Sequence, residues 1–592
     1  MNASDFLMHR LTEWGVTRIY GYPGDGINGL LGALAKCTDK IEFVQVRHEE
    51  MAAFMACAHA KFTGEVGVCM ATSGPGAIHL LNGLYDAKMD HAPVVAIVGQ
   101  AATLALGGSY QQEVDLQVLF KDVGDYRYTI TSTTATRHVV DRAFRTAMGL
   151  RGPATIIFPK DLQEEPYEEP PRKHNTLHSG VGFSRPMIVP RRADLQNAAD
   201  ILNGASKVAM LIGAGAKHAT DQLMQVADKL QACCAKALLG KDVLPDDLPW
   251  VTGTIGLLGT RPSSDIMNKC DALLMIGTGF PYSEFLPKDG SVPAVQIDID
   301  PRFIGLRYPV NVNLIGDAAD TLDALLPYLQ QKDDRSWRDA IAKNKEAWVA
   351  IEQDRAHQSA DPLNPQLLFA ELDQKLPHDA ILTGDAGTAT NWMARYITVK
   401  RGMKISLSGN LATMGSAVPY AIAAKFAFPD RLVMAITGDG AMQMNGINEL
   451  LTVQKYWKRW NDPRLVFLVL NNSDLNQVTW EMRVMAGNPK FEATQNLPAF
   501  SYAEFAESLG LRGVRVDSAD KVGNAWDIVL NADRPVVLDA IVSGDVATMP
   551  PHITLEEAKH FLSAARKGDP SEKGMVVQSI KQMIAGVIPH KE

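Results

Sequence analysis

The sharpest chemical signal in the sequence is a carboxylate and a carboxamide at the ends of two apolar runs. Leu432–Ile436 leads into Thr437-Gly438-Asp439-Gly440, and Leu465–Leu470 leads into Asn471-Asn472. Each run has the length and composition of a buried strand. Two neighbouring strands of this kind would bring Asp439 and the asparagines to one edge of a sheet. Magnesium takes hard oxygen ligands in a near-octahedral set and commonly bridges to phosphate oxygens. Gly438 and Gly440 let the backbone approach a diphosphate, and a helix opening after them leaves its first N–H groups free for it. A Gly-Asp-Gly turn alone is a common strand–loop element; its pairing with Asn-Asn points to a metal–diphosphate site.

A second carboxylate stands in Arg47-His48-Glu49-Glu50-Met51-Ala52-Ala53. Read as a helix, Glu49 shares its face with Ala52, Ala53, Ala56, Cys57 and Ala60. A carboxylate among small apolar side chains is costly unless it finds a partner. Burial suits such a group to hold a proton and share it with a ring nitrogen. The alternative is a salt-bridged helix start beside Arg47. Glu50, whose helical neighbours include Phe54 and Lys61, reads as a surface residue.

Between these segments, glycines follow further apolar runs. Gly213-Ala214-Gly215-Ala216 and Gly277-Thr278-Gly279-Phe280-Pro281 are followed by Gln296-Ile297-Asp298-Ile299-Asp300-Pro301 and Gly316-Asp317. Glycines after strands admit a pyrophosphate, and acids at strand ends can take ribose or adenine hydrogen bonds. Each cluster alone is a weak signal.

These motifs need a frame. Val94–Val98, Ala154–Phe158, Val208–Ile212, Leu273–Ile276 and Val536–Val542 are further strand-length apolar runs, alternating with amphipathic stretches. That alternation predicts an α/β chain of parallel sheets covered by helices. Gln163–Arg192 and Arg355–Pro365 read as linkers. Three domains are expected, over 1–165, 190–330 and 365–547, with a tail over 548–592. In the tail Met575, Val576, Ile580, Met583, Ile584, Val587 and Ile588 recur at near-helical spacing, predicting an amphipathic helix. Packing on the body or on another subunit is the expected use of that face; peripheral membrane contact is the alternative.

Composition narrows the function classes. A net charge of -9 without any Lys/Arg run argues against nucleic-acid binding. The 6 cysteines form no C-x-x-C pair, so neither a disulfide framework nor a zinc motif is expected, and a reducing compartment fits. No charged start followed by an apolar core and no long apolar run is present, so a cytoplasmic protein is expected.

GDG followed one strand later by NN resembles the signature of thiamine-diphosphate enzymes. Ser73-Gly74-Pro75-Gly76, His79–Ala87 and His91-Ala92-Pro93 are similar to bacterial pyruvate oxidases and quinone-dependent pyruvate dehydrogenases, in the acetolactate-synthase-like superfamily. The resemblance covers residues 1 to about 550. It implies pyrimidine-binding, FAD-type and diphosphate-binding domains in that order. It also implies that Mg2+ is held by Asp439, the Asn472 side chain and the Asp474 backbone carbonyl. Met414, in Leu411-Ala412-Thr413-Met414-Gly415, would wedge between the cofactor's two rings. Glu49 would hydrogen-bond the aminopyrimidine N1′ and so promote loss of the thiazolium C2 proton. His79 matches a histidine near the cofactor, and Gln112 a glutamine that contacts substrate or intermediate. Glu481 stands where pyruvate oxidases keep a glutamate and acetolactate synthases a tryptophan. Gly213, Gly215, Gly277, Thr278, Ile297, Asp298 and Asp317 would hold FAD.

The resemblance further implies a homodimer or homotetramer, because the cofactor lies between the first domain of one subunit and the third of another. The implied reaction is oxidative decarboxylation of pyruvate or a similar 2-oxo acid, with electrons passing through FAD to quinone or oxygen. An acetolactate-synthase-type carboligase, with non-redox or absent FAD, and an inactive cofactor-binding scaffold are the alternatives. Two positions depart from the family: Asn476 replaces a usual glycine, and Gln111 replaces the usual Phe before Gln112-Glu113.

Overall fold

A computed structural model describes residues 1–548 and 555–587. Three six-stranded sheets organise the chain, and every strand pair in them is parallel. The first holds β1 (Arg18–Gly21), β2 (Glu42–Gln45), β3 (Gly67–Ala71), β4 (Val94–Gln100), β5 (Tyr126–Thr129) and β6 (Pro153–Pro159). The second holds β7 (Val208–Ile212), β8 (Cys233–Lys236), β9 (Val251–Thr254), β10 (Ala272–Ile276), β11 (Ala294–Asp298) and β12 (Val312–Ile315). The third holds β13 (Ile381–Gly384), β14 (Lys404–Leu407), β15 (Val433–Gly438), β16 (Leu465–Asn471), β17 (Arg512–Val516) and β18 (Val536–Ile541). Central strands such as β4, β7 and β16 are buried along their whole length, which is why they read as unbroken apolar runs.

Sheets one and three have the same winding. Their orders are β2-β1-β3-β4-β6-β5 and β14-β13-β15-β16-β18-β17. The second, β12-β11-β10-β7-β8-β9, is the doubly wound order of dinucleotide-binding folds. In each sheet the winding reverses between two adjacent strands, and loops diverge there to leave a crevice beyond the strand ends. β7 and β10 flank the crevice of the second sheet, and β13 and β15 that of the third.

Units one and three meet through the Glu49–Thr63 and Ala417–Ala427 helices, and one apolar cluster runs through both units. The small residues of the first helix also admit the Leu81–Met89 helix of the same unit: a Cβ on Gly83 would fall 2.6 Å from Ala53 Cβ. Lys61 lies buried in this joint. Its ammonium reaches Asp90 Oδ2 at 2.7 Å, Tyr420 Oη at 2.6 Å and the Leu407 carbonyl at 3.0 Å. The Tyr420 hydroxyl donates to Asp86. Burial opposes the charge on Lys61, but Asp86 and Asp90 outweigh it and hold the ammonium protonated far above its usual range.

Glu50 is not a surface residue. Its carboxylate accepts from Asn82 Nδ2 at 2.6 Å and from Asn445 Nδ2 at 3.4 Å. The third unit covers the face that an isolated helix would turn to water.

The tail packs on the body. Its Leu555–Arg566 helix lies against Asn476–Val484, and its Glu572–Val587 helix against Ser336–Ala356. The buried face of the second tail helix differs from the apolar stripe read in the sequence. Met575 is buried, but Val577 and Ile580 are exposed, while Gln578, Ser579 and Gln582 are buried. Gln582 exchanges side-chain hydrogen bonds with Gln366 at 2.9 and 3.2 Å, and Gln578 donates to the Ser359 carbonyl at 3.2 Å. Those bonds make a polar seam affordable. Ile588 and Lys591, and the side chains of Met583, Ile584 and Val587, lie outside the described residues. No helix among the described residues is long and apolar enough to cross a membrane.

Lys61→Met keeps the side chain's length and removes its charge, stranding two buried carboxylates. The expected loss is about 3–5 kcal/mol, read as a lowered denaturation midpoint; an unchanged midpoint would refute the role of Lys61 in the joint.

Candidate cofactor and metal site

β15 and β16 are neighbours, with Gly438 opposite Leu470, so Asp439 and Asn472 emerge side by side. Asp439 Oδ2 accepts the backbone N–H groups of Asn472 at 2.9 Å and Ser473 at 2.6 Å, and Oδ1 accepts that of Gly440 at 2.9 Å. Burial pushes its pKa up to about 6. A buried carboxylate with no cationic side chain against it among the described residues suits a divalent metal. The Asp474 carboxylate is already taken up, by Thr479 Oγ1 at 2.9 Å, Asn476 Nδ2 at 3.0 Å and Lys490 Nζ at 3.0 Å. Asn476 also donates to the Gly544 carbonyl at 2.9 Å, which gives this departure from the family a structural role.

The Met414 segment is shaped from behind by Asp385, which the sequence reading missed. Asp385 is fully buried and accepts the N–H groups of Ala386 at 2.9 Å, Gly415 at 2.8 Å and Ala417 at 3.1 Å. Burial raises its pKa to about 6. It stands at the end of β13 as Asp439 stands at the end of β15, so an Asp directly after an apolar run was the available signal. A Cβ on Gly440 would fall 2.6 Å from Leu475 Cδ2 and 3.5 Å from Met414 Cε. Glycine at this position makes room for the Leu475 side chain and brings it and Met414 against the start of the helix.

A cavity of about 1310 Å³ joins this edge to the crevice of the second sheet. Met414, Gly438, Asp439, Gly440, Asn472, Asp474 and Glu481 line one end; Gly213, Gly215, Gly277, Thr278, Ile297, Asp298 and Asp317 line the other. The three glycines serve loop packing first. A Cβ on Gly213 would fall 2.5 Å from the Gly277 carbonyl oxygen, and one on Gly215 2.8 Å from Gly277 Cα. Gly277 itself has φ +55°. Burial raises the pKa of Asp298. Asp317 caps the Ala318–Leu325 helix and pairs with Arg185. Glu481, exposed to the cavity, accepts from Gln477 Nε2 at 3.0 Å, and Gln477 Oε1 accepts from Asn391 Nδ2 at 2.9 Å.

Glu49, His79 and Gln112 do not line this cavity. Glu49 is buried at the start of its helix, with Oε2 2.9 Å from His79 Nδ1. The His48 ring lies 4.3 Å from that of His79, and ligand atoms of His48, Glu49 and His79 all fall within 4.8 Å of one another. His48 Nδ1, however, already caps the helix by accepting the Glu50 N–H at 3.2 Å. A Cβ on Gly76 would stand 3.2 Å from Glu49 Oε1, so glycine keeps that oxygen approachable. Gln112 accepts from Ser73 Oγ at 3.0 Å, and Gln111 is exposed.

Glu449 is a second carboxyl, one with no local mark in the sequence. It is buried behind Glu49, on the Ile447–Tyr456 helix, and accepts the Arg47 N–H at 2.7 Å. Among the described residues its Oε2 has no hydrogen-bond partner. Burial pushes its pKa up to about 7.

Three parallel sheets, with Asp439 and Asn472 side by side at the strand ends of the third, are a thiamine-diphosphate enzyme architecture. Family models match accordingly: the N-terminal TPP binding domain of thiamine pyrophosphate enzymes over residues 1–119, their central domain over 195–325 and their C-terminal TPP binding domain over 385–540. YdaP of Bacillus subtilis, provisionally named a thiamine pyrophosphate-containing protein, is 37% identical over 560 residues, covering 94% of both chains. Acetolactate synthase isozyme 2 large subunit of Escherichia coli is 31% identical over 553 residues, covering 91% of this chain and 95% of its own. Pyruvate oxidase of Lactiplantibacillus plantarum is 28% identical over 539 residues, covering 90% and 87%. The chain belongs to the thiamine pyrophosphate enzyme family.

The raised pKa of Glu449 has a consequence for stability. A carboxyl whose folded-state pKa lies above its unfolded value supports folding while protonated, and that support is lost as pH rises through about 7. Glu449→Gln keeps the acceptor for Arg47 and removes the charge. At pH 8 the variant should be more stable than wild type by roughly 1–3 kcal/mol, and the difference should close towards pH 4.5. Denaturation at both pH values checks this; a pH-independent difference would contradict it.

Proposed function

We propose that this protein oxidatively decarboxylates a short 2-oxo acid, pyruvate in the first instance, and passes the electrons to a flavin that quinone or oxygen reoxidises. The observation that carries this reading is the continuous cavity between the second-sheet crevice, where a dinucleotide would lie, and the Asp439–Asn472 edge. When bound, thiamine diphosphate supplies an electron sink for decarboxylation and FAD a two-electron acceptor.

The residues divide the remaining work. Asp439, the Asn472 side chain and the Asp474 carbonyl would hold Mg2+, and the open backbone at Gly438 would receive the diphosphate. Met414, on the segment fixed by the bonds of Asp385 to Gly415 and Ala417, would contact the bound cofactor. Glu481, oriented by Gln477 and Asn391, is placed to move a proton at the substrate. Glu49 holds the proton at the aminopyrimidine N1′, and His79, on the same carboxylate, orients it. Gln112 offers an amide to the substrate. Because Glu49, His79 and Gln112 stand outside the cavity, a second copy of the chain completes each site, in a homodimer or a homotetramer.

The acetolactate synthase among the relatives favours a second reading: a carboligase in which any flavin stays oxidised. An anaerobic visible spectrum, with thiamine diphosphate and Mg2+ present, separates the two. Pyruvate should bleach the flavin band if the oxidase reading holds. A band that persists while acetolactate accumulates, or the absence of any flavin, transfers the assignment to the carboligase. Glu49→Gln should slow pyruvate consumption by about 100-fold or more under either reading; full activity in that variant would remove Glu49 from the chemistry.

A further inference from the structure

The Asn476–Val484 helix carries Glu481 on one side and meets the tail on the other. Trp480 stacks on Phe561 of the tail, with ring centroids 6.4 Å apart and planes at 6°. His560 Nδ1 lies 3.2 Å from the Val484 carbonyl, and Lys567 Nζ donates to the Gly487 carbonyl at 2.8 Å. Trp480, Ala547, Ala565 and Met575 form a small core of their own.

A fully buried ion pair crosses this contact. Arg483 Nε and Nη2 donate to Asp569 Oδ2 at 2.8 Å and Oδ1 at 2.7 Å; the two side chains are 1% and 0% exposed. The Asp569 carboxylate also accepts the N–H groups of Lys490 and Ser571, each at 2.9 Å. Lys490, held by its backbone in this way, sends its ammonium to Asp474 Oδ1 at 3.0 Å. A continuous path therefore runs from Asp569 through Lys490 to Asp474, and from Asp569 through Arg483 to the helix of Glu481. A pocket of about 220 Å³ lies at this junction, walled by Asn472, Asp474, Arg483, Lys490 and Ser571.

We propose that the tail is a working part of the metal–diphosphate edge, and that Asp569 is its positioning residue. Asp569 sets the Asp474 turn through Lys490 and the Glu481 helix through Arg483. This rests on the reading of that edge as the Mg2+–diphosphate site. The chemistry favours a positioning role over a purely stabilising one. A buried ion pair adds little net stability against an apolar pair of similar volume, but it fixes geometry through directional bonds, and removing one partner strands the other's charge. Groups behind metal ligands characteristically tune affinity.

The test uses the full-length protein and Asp569→Asn. Mg2+ is titrated at fixed thiamine diphosphate, followed by tryptophan fluorescence, and turnover is measured at saturating Mg2+. Hydrogen exchange of residues 476–484 is compared with that of β7 and β10. The half-saturating Mg2+ concentration should rise about 10-fold or more, and turnover at saturation should fall as the Glu481 helix loosens. Exchange should accelerate over 476–484 and stay at the wild-type rate in β7 and β10. A half-saturation and exchange rate equal to wild type would overturn the proposal. Should Asp569→Asn unfold throughout, Lys490→Met carries the same test, since it removes only the ammonium on Asp474. A raised half-saturation supports the path, and an unchanged one overturns it. A wild-type protein that gives no saturable response to Mg2+ and thiamine diphosphate would sink the site reading itself, an outcome distinct from a responsive wild type with an unshifted variant.

Discussion

All the strands of a parallel sheet end at the same edge, and that constraint shapes everything else in this molecule. The loops leaving that edge carry backbone N–H groups that no strand partner satisfies. Where the winding reverses, neighbouring loops part and their unpaired groups face a shared space. Asp385 and Asp439 stand at such ends in the third sheet, and Gly213 and Gly277 in the second. The glycines there let two loops pack almost backbone to backbone, leaving the space between the sheets for a ligand instead of side chains.

Buried carboxylates act as staples on these loops. Asp385 gathers three backbone N–H groups around Met414, and Asp439 gathers three around the β15–β16 edge. Asp90 accepts from Gly409 and Asn410 across the joint between units one and three while pairing with Lys61 of its own unit. A carboxylate with several donors fixes a loop conformation more firmly than apolar contact does, because each bond has a direction. The cost is desolvation, visible in the raised pKa values of Asp385 and Asp439.

Features written in local sequence were the ones legible from it. Fully buried strands read as continuous apolar runs, so β4, β7, β15 and β16 could be located with little ambiguity, and GDG and NN at their ends marked the site. What the sequence hid depends on residues far apart in the chain. Lys61 and Tyr420 share a hydrogen bond across the joint, so the small-residue face of the Glu49 helix was legible while its partner was not. Glu50 looked exposed because periodicity cannot anticipate a second unit covering the helix. Glu449 and Asp569 carry no local mark, since an acid in an amphipathic helix or a turn is ordinary until its surroundings are known. The common winding of sheets one and three leaves no short-range trace either, because strand order is a property of connections.

The seam under the last tail helix sets more than a position. An apolar face slides and rotates over its neighbour with modest loss, because dispersion and hydrophobic burial have little directional preference. The reciprocal amide pair of Gln582 and Gln366, with Gln578 on the Ser359 carbonyl, does not tolerate this. Turning the helix by one residue would set Val577 or Ile580 against these amides and leave them unsatisfied in a dry contact. The tail is thus keyed to one rotational register, and the turn carrying Asp569, immediately before this helix, is presented to Arg483 in a single orientation.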